Sequence, residues 1–325
     1  MTQTIPHKQQ LTNVYLIAYT IDNQQHSEGT MPAIWILSRF KETEYANSRL
    51  LKSFTDKNLD AKLMNPKDFD IVVTKDIKQG LKYKGEPIEL PCVALARIGS
   101  SATPAMLALI RQLEKAGVIC LNSADTIECV KDKMHTSQIL SQHGISIPNT
   151  MLVRFPVDVK IVKEEIGFPC IVKVVTGSHG SGVHLCERQR DFQKLMEFIN
   201  ILADKKTLIV QEYLGERPGE DLRVLVIGGK VVGAMKRSAP EGDFRANISG
   251  GGSGEPYPLT EEIEYIARET AKVLKLDIAG IDLLFDSRGF RVCEANSNPG
   301  FIGFEQYCNV DVADLIVEYI KFKVA

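Results

Sequence analysis

Residues 279–296, AGIDLLFDSRGFRVCEAN, read as two apolar strands around the loop Ser287-Arg288-Gly289, and this hairpin is the firmest local commitment in the sequence. With glycine last, the loop fits a type I turn plus bulge, which pairs Asp286 with Phe290. Counting back sets Asp282 directly across from Glu294. Strand alternation puts Asn296 on the face of Glu294, with Cys293, Ala295 and Ser297 on the other. Opposed carboxylates repel, so a bare site is unfavourable unless one is protonated or a cation lies between them. Asp282, Glu294 and Asn296 together offer hard oxygens that suit Mg²⁺ or Mn²⁺ better than zinc. Taken alone, the hairpin is equally well read as a solvated acidic strand face.

A chain of 325 residues with 44% apolar and 25% charged content can build two or three domains with sizeable cores, which argues against extensive disorder. Its formal charge of -2, with both signs interspersed, makes no broad field for nucleic acid. No apolar run approaches the roughly 20 residues of a bilayer span, and the polar start MTQTIPHKQQ lacks a signal segment. The expectation is a cytoplasmic protein. Its cysteines are scattered without C-x-x-C spacing and read as small buried thiols.

Residues 1–33 form an N-terminal extension of unknown role. From there AIWILS, YANSRLLKSFTDKN, DAKLMNP, KYKGEPIEL, PCVALAR, TPAMLALIRQLEKAG and VICLN read as strand, helix, strand, hairpin, strand, helix and strand. That alternation predicts a small parallel α/β domain over 34–122. SADTIECVKDKMHTSQILSQHG has helical periodicity up to Gly144, and strand IPNTMLV follows. FPCIVKVV and the strand ending in VHLCE flank a glycine-rich turn, helix DFQKLMEFINIL and strand TLIVQEYL complete a unit over 123–212, and a last unit spans 213–325. In it EDLRVLVIGGKVVGAMKRSA is a meander turning at Gly228-Gly229, followed by helix EEIEYIARETAKVLKL, the acidic hairpin and helix VADLIVEYIKFK.

Mg²⁺ held by few protein ligands completes its shell with water and phosphate oxygens, so phosphate-binding features matter next. In VVTGSHGSGVHL (174–185), Gly177, Gly180 and Gly182 free the backbone to approach a polyphosphate. The turn joins two strands, so it is neither a P-loop nor a Rossmann turn. A flexible hairpin would explain it equally, but Lys173 ends an otherwise apolar strand, where a phosphate would satisfy its ammonium. Lys133 in VKDKM is a second candidate cation, explained just as well by a helix surface.

The ordered set KDKMHTSQILSQHGI-x-IP, IVKVVTGSHGSGV, QEYL, DLRVLVIGGKVV, KR-x-AP-EGDFRANI-x-GG, AGIDLLF and EANSNPGF resembles the ATP-grasp superfamily. Within it the chain resembles the RimK-like ligases, which add glutamate to the C-terminus of a ribosomal protein. The resemblance runs from about Ala33 to the C-terminus and includes ALARIGSSAT (94–103). It implies an ATP-grasp fold of class α/β, with α+β lobes: two lobes clamp ATP behind a small parallel α/β domain. The reaction it implies is a carboxylate attacking the γ-phosphate to give an acylphosphate and ADP, from which an amine displaces phosphate. Such catalysis is electrostatic and depends on excluding water from the intermediate.

The resemblance places Lys173 at the α- and β-phosphates and folds the loop containing Gly177, Ser178, Gly180, Gly182 and Val183 over them. Lys133 is a further nucleotide-binding cation. Gln211, Glu212, Tyr213 and Leu214 match the strand that reads adenine, with the Glu212 carbonyl and Leu214 amide at its edge, although QEYL alone could be an amphipathic strand end. Asp221 matches a ribose-side acid. Arg245 and Asn247 fall near the phosphates, and Arg237 near the γ-phosphate or acyl group, where a surface ion pair is the plain alternative. Asp282, Glu294 and Asn296 match a metal triad holding Mg²⁺ or Mn²⁺, as two ions. A homo-oligomer is implied; a membrane partner is not.

Ser238 stands where the ribosomal-protein ligases carry a second arginine, which weakens recognition of an acidic tail, and His179 beside Gly180 reads as an exposed loop residue. Two function classes remain from sequence. One is an ADP-forming ligase joining glutamate or a similar amino acid to a peptide tail or small acid; the other is an ATP-binding regulator without turnover.

Overall fold

The computed structural model describes residues 33–76, 80–175, 182–201, 207–241, 243–246, 248 and 251–324. The N-terminal extension up to residue 32, most of the glycine-rich turn (Gly177, Ser178, His179 and Gly180) and Asn247 lie outside the described residues.

In chain order the first elements are β1 (Ile34–Leu37), α1 (Tyr45–Asp56), β2 (Ala61–Met64), β3 (Phe69–Ile71), β4 (Leu81–Tyr83), β5 (Glu86–Pro87), β6 (Val93–Ala96), α2 (Pro104–Lys115) and β7 (Ile119–Leu121). Strands β2-β1-β6-β7 make a parallel sheet in that order. IWIL and VALA are wholly buried because helices cover both faces. Ile34 and Ile36 pack toward α1, while Trp35 and Leu37 pack toward Met106, Leu109 and Leu113 of α2. As expected, KYKGEPIEL contains a hairpin, with Lys82 across from Pro87; β3 adds a strand to it.

Next come α3 (Ala124–Lys131) and α4 (Lys133–Gln142), β8 (Thr150–Leu152), α5 (Val159–Glu165), β9 (Cys170–Val174), β10 (Val183–Cys186), α6 (Gln189–Ile201) and β11 (Leu208–Glu212). The single periodic run expected before Gly144 is thus two helices. Asp132 breaks it, because its carboxylate caps α4 by accepting from the amides of Met134 (2.9 Å) and His135 (3.0 Å). Strands β10-β9-β11-β8 form an antiparallel sheet, backed by Val162 of α5 and by Phe192 and Met196 of α6.

The remaining elements are β12 (Glu220–Ile227), β13 (Lys230–Ser238), β14 (Ser253–Tyr257), α7 (Glu261–Val273), β15 (Ile278–Asp286), β16 (Gly289–Asn296), α8 (Ile302–Tyr307) and α9 (Val312–Val324). The sheet runs β14-β13-β12-β15-β16, all antiparallel. Leu222, Val224, Ile281, Leu283 and Ala295 pack one face onto Ile263, Ala267 and Ala271 of α7, so the alternate residues turn the other way. The β12–β13 turn is the expected Gly228-Gly229, both at positive φ (58° and 75°), as a two-residue hairpin requires.

The end of the chain returns to the first domain. Ile316, Val317 and Ile320 of α9 share a core with Leu50 and Phe54 of α1. The buried Asn122 after β7 donates to the carbonyls of Ile278 (2.8 Å) and Ser297 (2.7 Å) and accepts from the amide of Asp277 (2.7 Å). One carboxamide therefore fixes the parallel sheet to both ends of the acidic hairpin. Among the described residues no helix is long and apolar enough to cross a membrane.

Candidate active site

The hairpin register brings Asp282 opposite Glu294, and Asn296 opposite Gly280. The route differs from the three-residue loop expected. Asp286 pairs with Gly289, not Phe290, leaving a two-residue turn at Ser287-Arg288. The register then shifts between Asp282 and Leu283, where Cys293 is the extra residue of a bulge, so Cys293 does not face away from Glu294 as simple alternation expected but turns toward Lys173. Turn and bulge differ by one residue in opposite senses, so their effects cancel at the acidic pair.

Besides the protonation or bound cation that the sequence offers as relief, basic side chains of the protein itself compensate the pair. Arg223 lies across from Asp282 on β12, and its guanidinium grips the carboxylate in a fork: Nε to Oδ1, and Nη2 to Oδ2 at 2.7 Å. Arg237 of β13 adds an Nη2–Oδ2 contact of 3.1 Å and holds Asp221 in a second fork, at 2.7 and 2.6 Å. Glu294 is more exposed and faces Lys133 at the start of α4, 3.6 Å away. Arg223, Asp282 and Glu294 thus form one row across three strands, with Asp221 and Arg237 in a neighbouring row.

Burial pushes the Asp282 carboxyl up, but the flanking guanidiniums of Arg223 and Arg237 outweigh it and hold the group below its ordinary range. For Asp221 the balance reverses: burial dominates the pull of Arg237, and its carboxyl is raised to about 6. Both Asp221 oxygens are spent on Arg237, so a ribose hydroxyl would have to share them.

Lys173, on β9, reaches across from the other antiparallel sheet. Its ammonium donates to Gln211 Oε1 (2.6 Å) and approaches Cys293 Sγ of β16 at 3.6 Å. Gln211 is buried and is itself oriented by donating to Thr150 Oγ1 at 2.9 Å. A second bridge joins the sheets: Arg291 Nη1 of β16 lies 2.7 Å from Glu212 Oε2 of β11. Glu212 also accepts from the amide of Asn149 at 3.1 Å. Tyr213 and Leu214 follow β11, half-buried. Gly182, at φ 75°, and Val183 begin the returning arm of the glycine-rich turn, and a Cβ at Gly182 would meet Val174 at 2.9 Å.

Arg245 is not joined to the buried network by these contacts. It is exposed and paired with Asp243 two residues earlier (Nη2–Oδ2 2.8 Å), whose carboxyl that bond lowers to about 2. Arg223, Arg291 and Asn122 went unnoticed in the sequence reading. Arg223 did carry a signal, since it stands two residues after Asp221 in a strand and so shares its face.

For a divalent ion, the donor chemistry fits in part. Among the described residues no group of three or more His, Cys, Asp or Glu is arranged to hold a metal ion. Glu294 is accessible, and Asn296 donates its Nδ2 to the Gly280 carbonyl (3.3 Å), which leaves its Oδ1 as an acceptor. Asp282 Oδ1 retains a lone pair beyond its bond to Arg223. These three oxygens suit a hard cation that keeps several waters.

Two family models match the chain: a RimK PreATP-grasp domain over residues 33–127 and a RimK-like ATP-grasp domain over residues 130–320. A probable alpha-L-glutamate ligase of Methanococcoides burtonii is 37% identical over 289 residues, covering 89% of this chain and 95% of its relative. A probable alpha-L-glutamate ligase 2 of Shewanella amazonensis is 36% identical over 90% of this chain and 96% of its own length. Among solved structures, the ATP-grasp ligase PsnB in complex with a phosphomimetic variant of its minimal precursor, Mg and ADP superposes with a TM-score of 0.70 at 20% identity, covering 90% of this chain and 98% of PsnB. A RimK domain ATP-grasp protein of Sphaerobacter thermophilus gives 0.67 at 19% identity, covering 88% and 98%. At those identities the structures speak for the fold alone.

Proposed function

Because the chain belongs to the RimK-like ATP-grasp family and is an ATP-dependent ligase, we propose that it joins L-glutamate, or a similar amino acid, to the carboxylate of a peptide tail or small acid, releasing ADP and phosphate. The observation that carries this reading is the approach of Lys173 from one antiparallel sheet to Cys293 of the other, at 3.6 Å, on the strand that carries Glu294 and Asn296. A cation thereby stands beside hard oxygen donors at the seam of two sheets.

In this reading ATP occupies the seam. Lys173, positioned by Gln211, meets its α- and β-phosphates. The backbone of Glu212 and Leu214 reads the adenine edge. Lys133 joins the phosphate cations, and the loop through Gly177, Ser178, Gly180, Gly182 and Val183 covers the phosphates. Glu294, Asn296 and the remaining lone pair of Asp282 would hold Mg²⁺ or Mn²⁺, which neutralises charge on the transferring phosphoryl. Arg237 lies one ladder row away and is aimed by Asp221, in place to stabilise the acyl or γ-phosphate oxygens. Arg245 and Asn247 complete the phosphate contacts once Arg245 exchanges Asp243 for them. A substrate carboxylate attacks phosphorus, ADP leaves, and the amine then expels phosphate from the acylphosphate to form an amide. The proton lost by the amine passes to phosphate or water.

The glutamate ligases among the relatives favour glutamate as the amino acid joined. A cytoplasmic, homo-oligomeric enzyme with units over 34–122, 123–212 and 213–325 accords with this reading. The regulator without turnover is set aside, because the relatives are ligases. Phosphate release from Mg-ATP, screened with amino acids against candidate carboxylates and followed by product mass, tests the proposal. Release that requires both partners and a product heavier by one aminoacyl unit is expected; slow release indifferent to either would refute it.

A further inference from the structure

Arg97 leaves the C-terminal end of β6, in the central pair of the parallel sheet, where open α/β sheets place ligands. Its Nη1 donates to the carbonyl of Pro299 at 3.3 Å, and its guanidinium lies over the Phe301 ring, 5.3 Å from the centroid. Among the described residues no carboxylate pairs with it; Glu44 acts on it only from beyond ion-pairing distance. Burial without a counter-ion pushes its guanidinium down to about 10. That is a costly state for a residue whose fork is built for carboxylate.

A second orphan lies beside it. Asn298 Oδ1 is buried and has no hydrogen-bond partner among the described residues. The two segments are packed together: a Cβ at Gly99 would meet Asn298 Cβ at 3.0 Å. A half-buried cation lacking an anion among the described residues and a buried acceptor lacking a donor together describe a ligand that carries a carboxylate next to an N–H group. An α-amino acid has both, and so does the last residue of a peptide.

The place is right for a substrate. Asn298 follows Asn296 by two residues, no more than about 7 Å of chain. Pro299, which accepts from Arg97, packs against Gly280 together with the Arg223 side chain, and Arg223 grips Asp282. A chain of direct contacts thus runs from Arg97 to the acidic pair. The phosphoryl-transfer reading accounts for neither orphan, because the reacting carboxylate must approach the γ-phosphate rather than be neutralised elsewhere.

We propose that Arg97, after β6 of the first domain, and Asn298, after β16, form a subsite for a non-reacting substrate carboxylate and its adjacent N–H, contributed either by the incoming amino acid or by the C-terminal residue of an acceptor that reacts through its side-chain carboxylate. The subsite rests on the ligase reading and supplies it with a specificity element. It orients one substrate by its carboxylate while the other end of that substrate faces the seam.

The test compares wild type with R97A, R97K and N298A in steady-state phosphate release, varying L-glutamate and the acceptor in turn, and repeating each with analogues in which one non-reacting carboxylate at a time is replaced by carboxamide. Direct titration with Mg-ATP runs in parallel. R97A is expected to raise the KM of one substrate by about 10- to 100-fold while the Mg-ATP affinity stays unchanged. R97K, lacking the fork, is expected to fall between. The wild-type penalty for the matching carboxamide should vanish in R97A. An effect on glutamate assigns the subsite to the amino acid; an effect on the acceptor assigns it to the tail. Unchanged KM values for both substrates, or undiminished discrimination against the carboxamides, would overturn the proposal. Should R97A fail to fold, R97K and N298A carry the same comparison. Failure of the wild type to release phosphate with any substrate pair would instead refute the ligase reading, and L-glutamate titrated calorimetrically into wild type and R97K would then decide the subsite by whether the substitution abolishes binding.

Discussion

Arg223 and Asp282 face each other across β12 and β15 and are joined by a guanidinium–carboxylate fork, 2.7 Å at Nη2–Oδ2, with both side chains largely buried. Truncating one partner of such a pair leaves an uncompensated buried charge, whereas replacing both by apolar residues removes the demand. Arg223→Met should therefore destabilise the protein by about 3 kcal/mol, somewhat cushioned by Arg237. The double variant R223M/D282L should recover most of that loss without recovering turnover. Urea unfolding of the two variants measures the first effect, and phosphate release the second.

Asp221 gives the network a pH signature. Its folded-state pKa, raised by burial to about 6, lies above its ordinary value of 3.8. Between these values the folded protein holds a proton that the unfolded chain has released, so the stability contributed by this group is fully present below about 4 and is lost as the pH rises through 6. The stability of wild type relative to D221N should therefore decline from pH 4 to pH 7, by up to about 3 kcal/mol at 1.36 kcal/mol per pKa unit. A difference independent of pH, in denaturant titrations of both proteins, would remove the assignment.

Legibility from the sequence followed the kind of signal. Strand alternation in GFRVCEAN put Glu294 and Asn296 on one face and made Asp282 a neighbour, because one buried face leaves little freedom of register. It could not show that Cys293 bulges, since a bulge and a shorter turn compensate each other at a distance. Arg223 was passed over because a charged residue alternating with valine and leucine reads as a solvated strand face; its burial depends on β15, sixty residues on. β14 was missed for a different reason. Its SGEPY follows a run of glycines and offers no apolar alternation, and its pairing to β13 supplies the order that propensity does not.

Glu294 should separate chemistry from folding. Its pairing with Lys133 at 3.6 Å is partly exposed, and such pairs contribute less than about 1 kcal/mol. Glu294→Ala should thus melt close to wild type while losing at least about 100-fold in Mg-dependent turnover, since loss of even the outer partners that orient metal ligands costs about 10- to 100-fold. Thermal unfolding beside a magnesium titration of phosphate release distinguishes the two. Retained turnover with an unshifted magnesium dependence would exclude the residue from the metal site.

Lys173 is held by a neutral carboxamide, and among the described residues no carboxylate forms an ion pair with it. Lys173→Met should raise the KM for ATP by about 10- to 100-fold, with little change in the KM of the amine. Gln211→Ala should show a weaker version of the same pattern, because the ammonium loses its orientation but not its charge. Equal losses in all substrates would point to a folding defect instead.

Gly280 lies under the junction of the network and the segment that follows Asn296. A Cβ there would stand 2.8 Å from Pro299 Cβ and 3.1 Å from Arg223 Cδ, closer than carbon atoms tolerate. Since Pro299 belongs to a packed loop and Arg223 is tied to Asp282, neither can yield without moving what it holds. Gly280→Ala should cost about 1–3 kcal/mol through overpacking. It should also lower kcat more than it weakens Mg-ATP affinity, because Lys173 and Gln211 lie on the other sheet. Alanine at 280 with wild-type kcat would mean that Arg223 and Pro299 can shift independently of the chemistry, and the contact chain from Asp282 toward Arg97 would then carry no positional information.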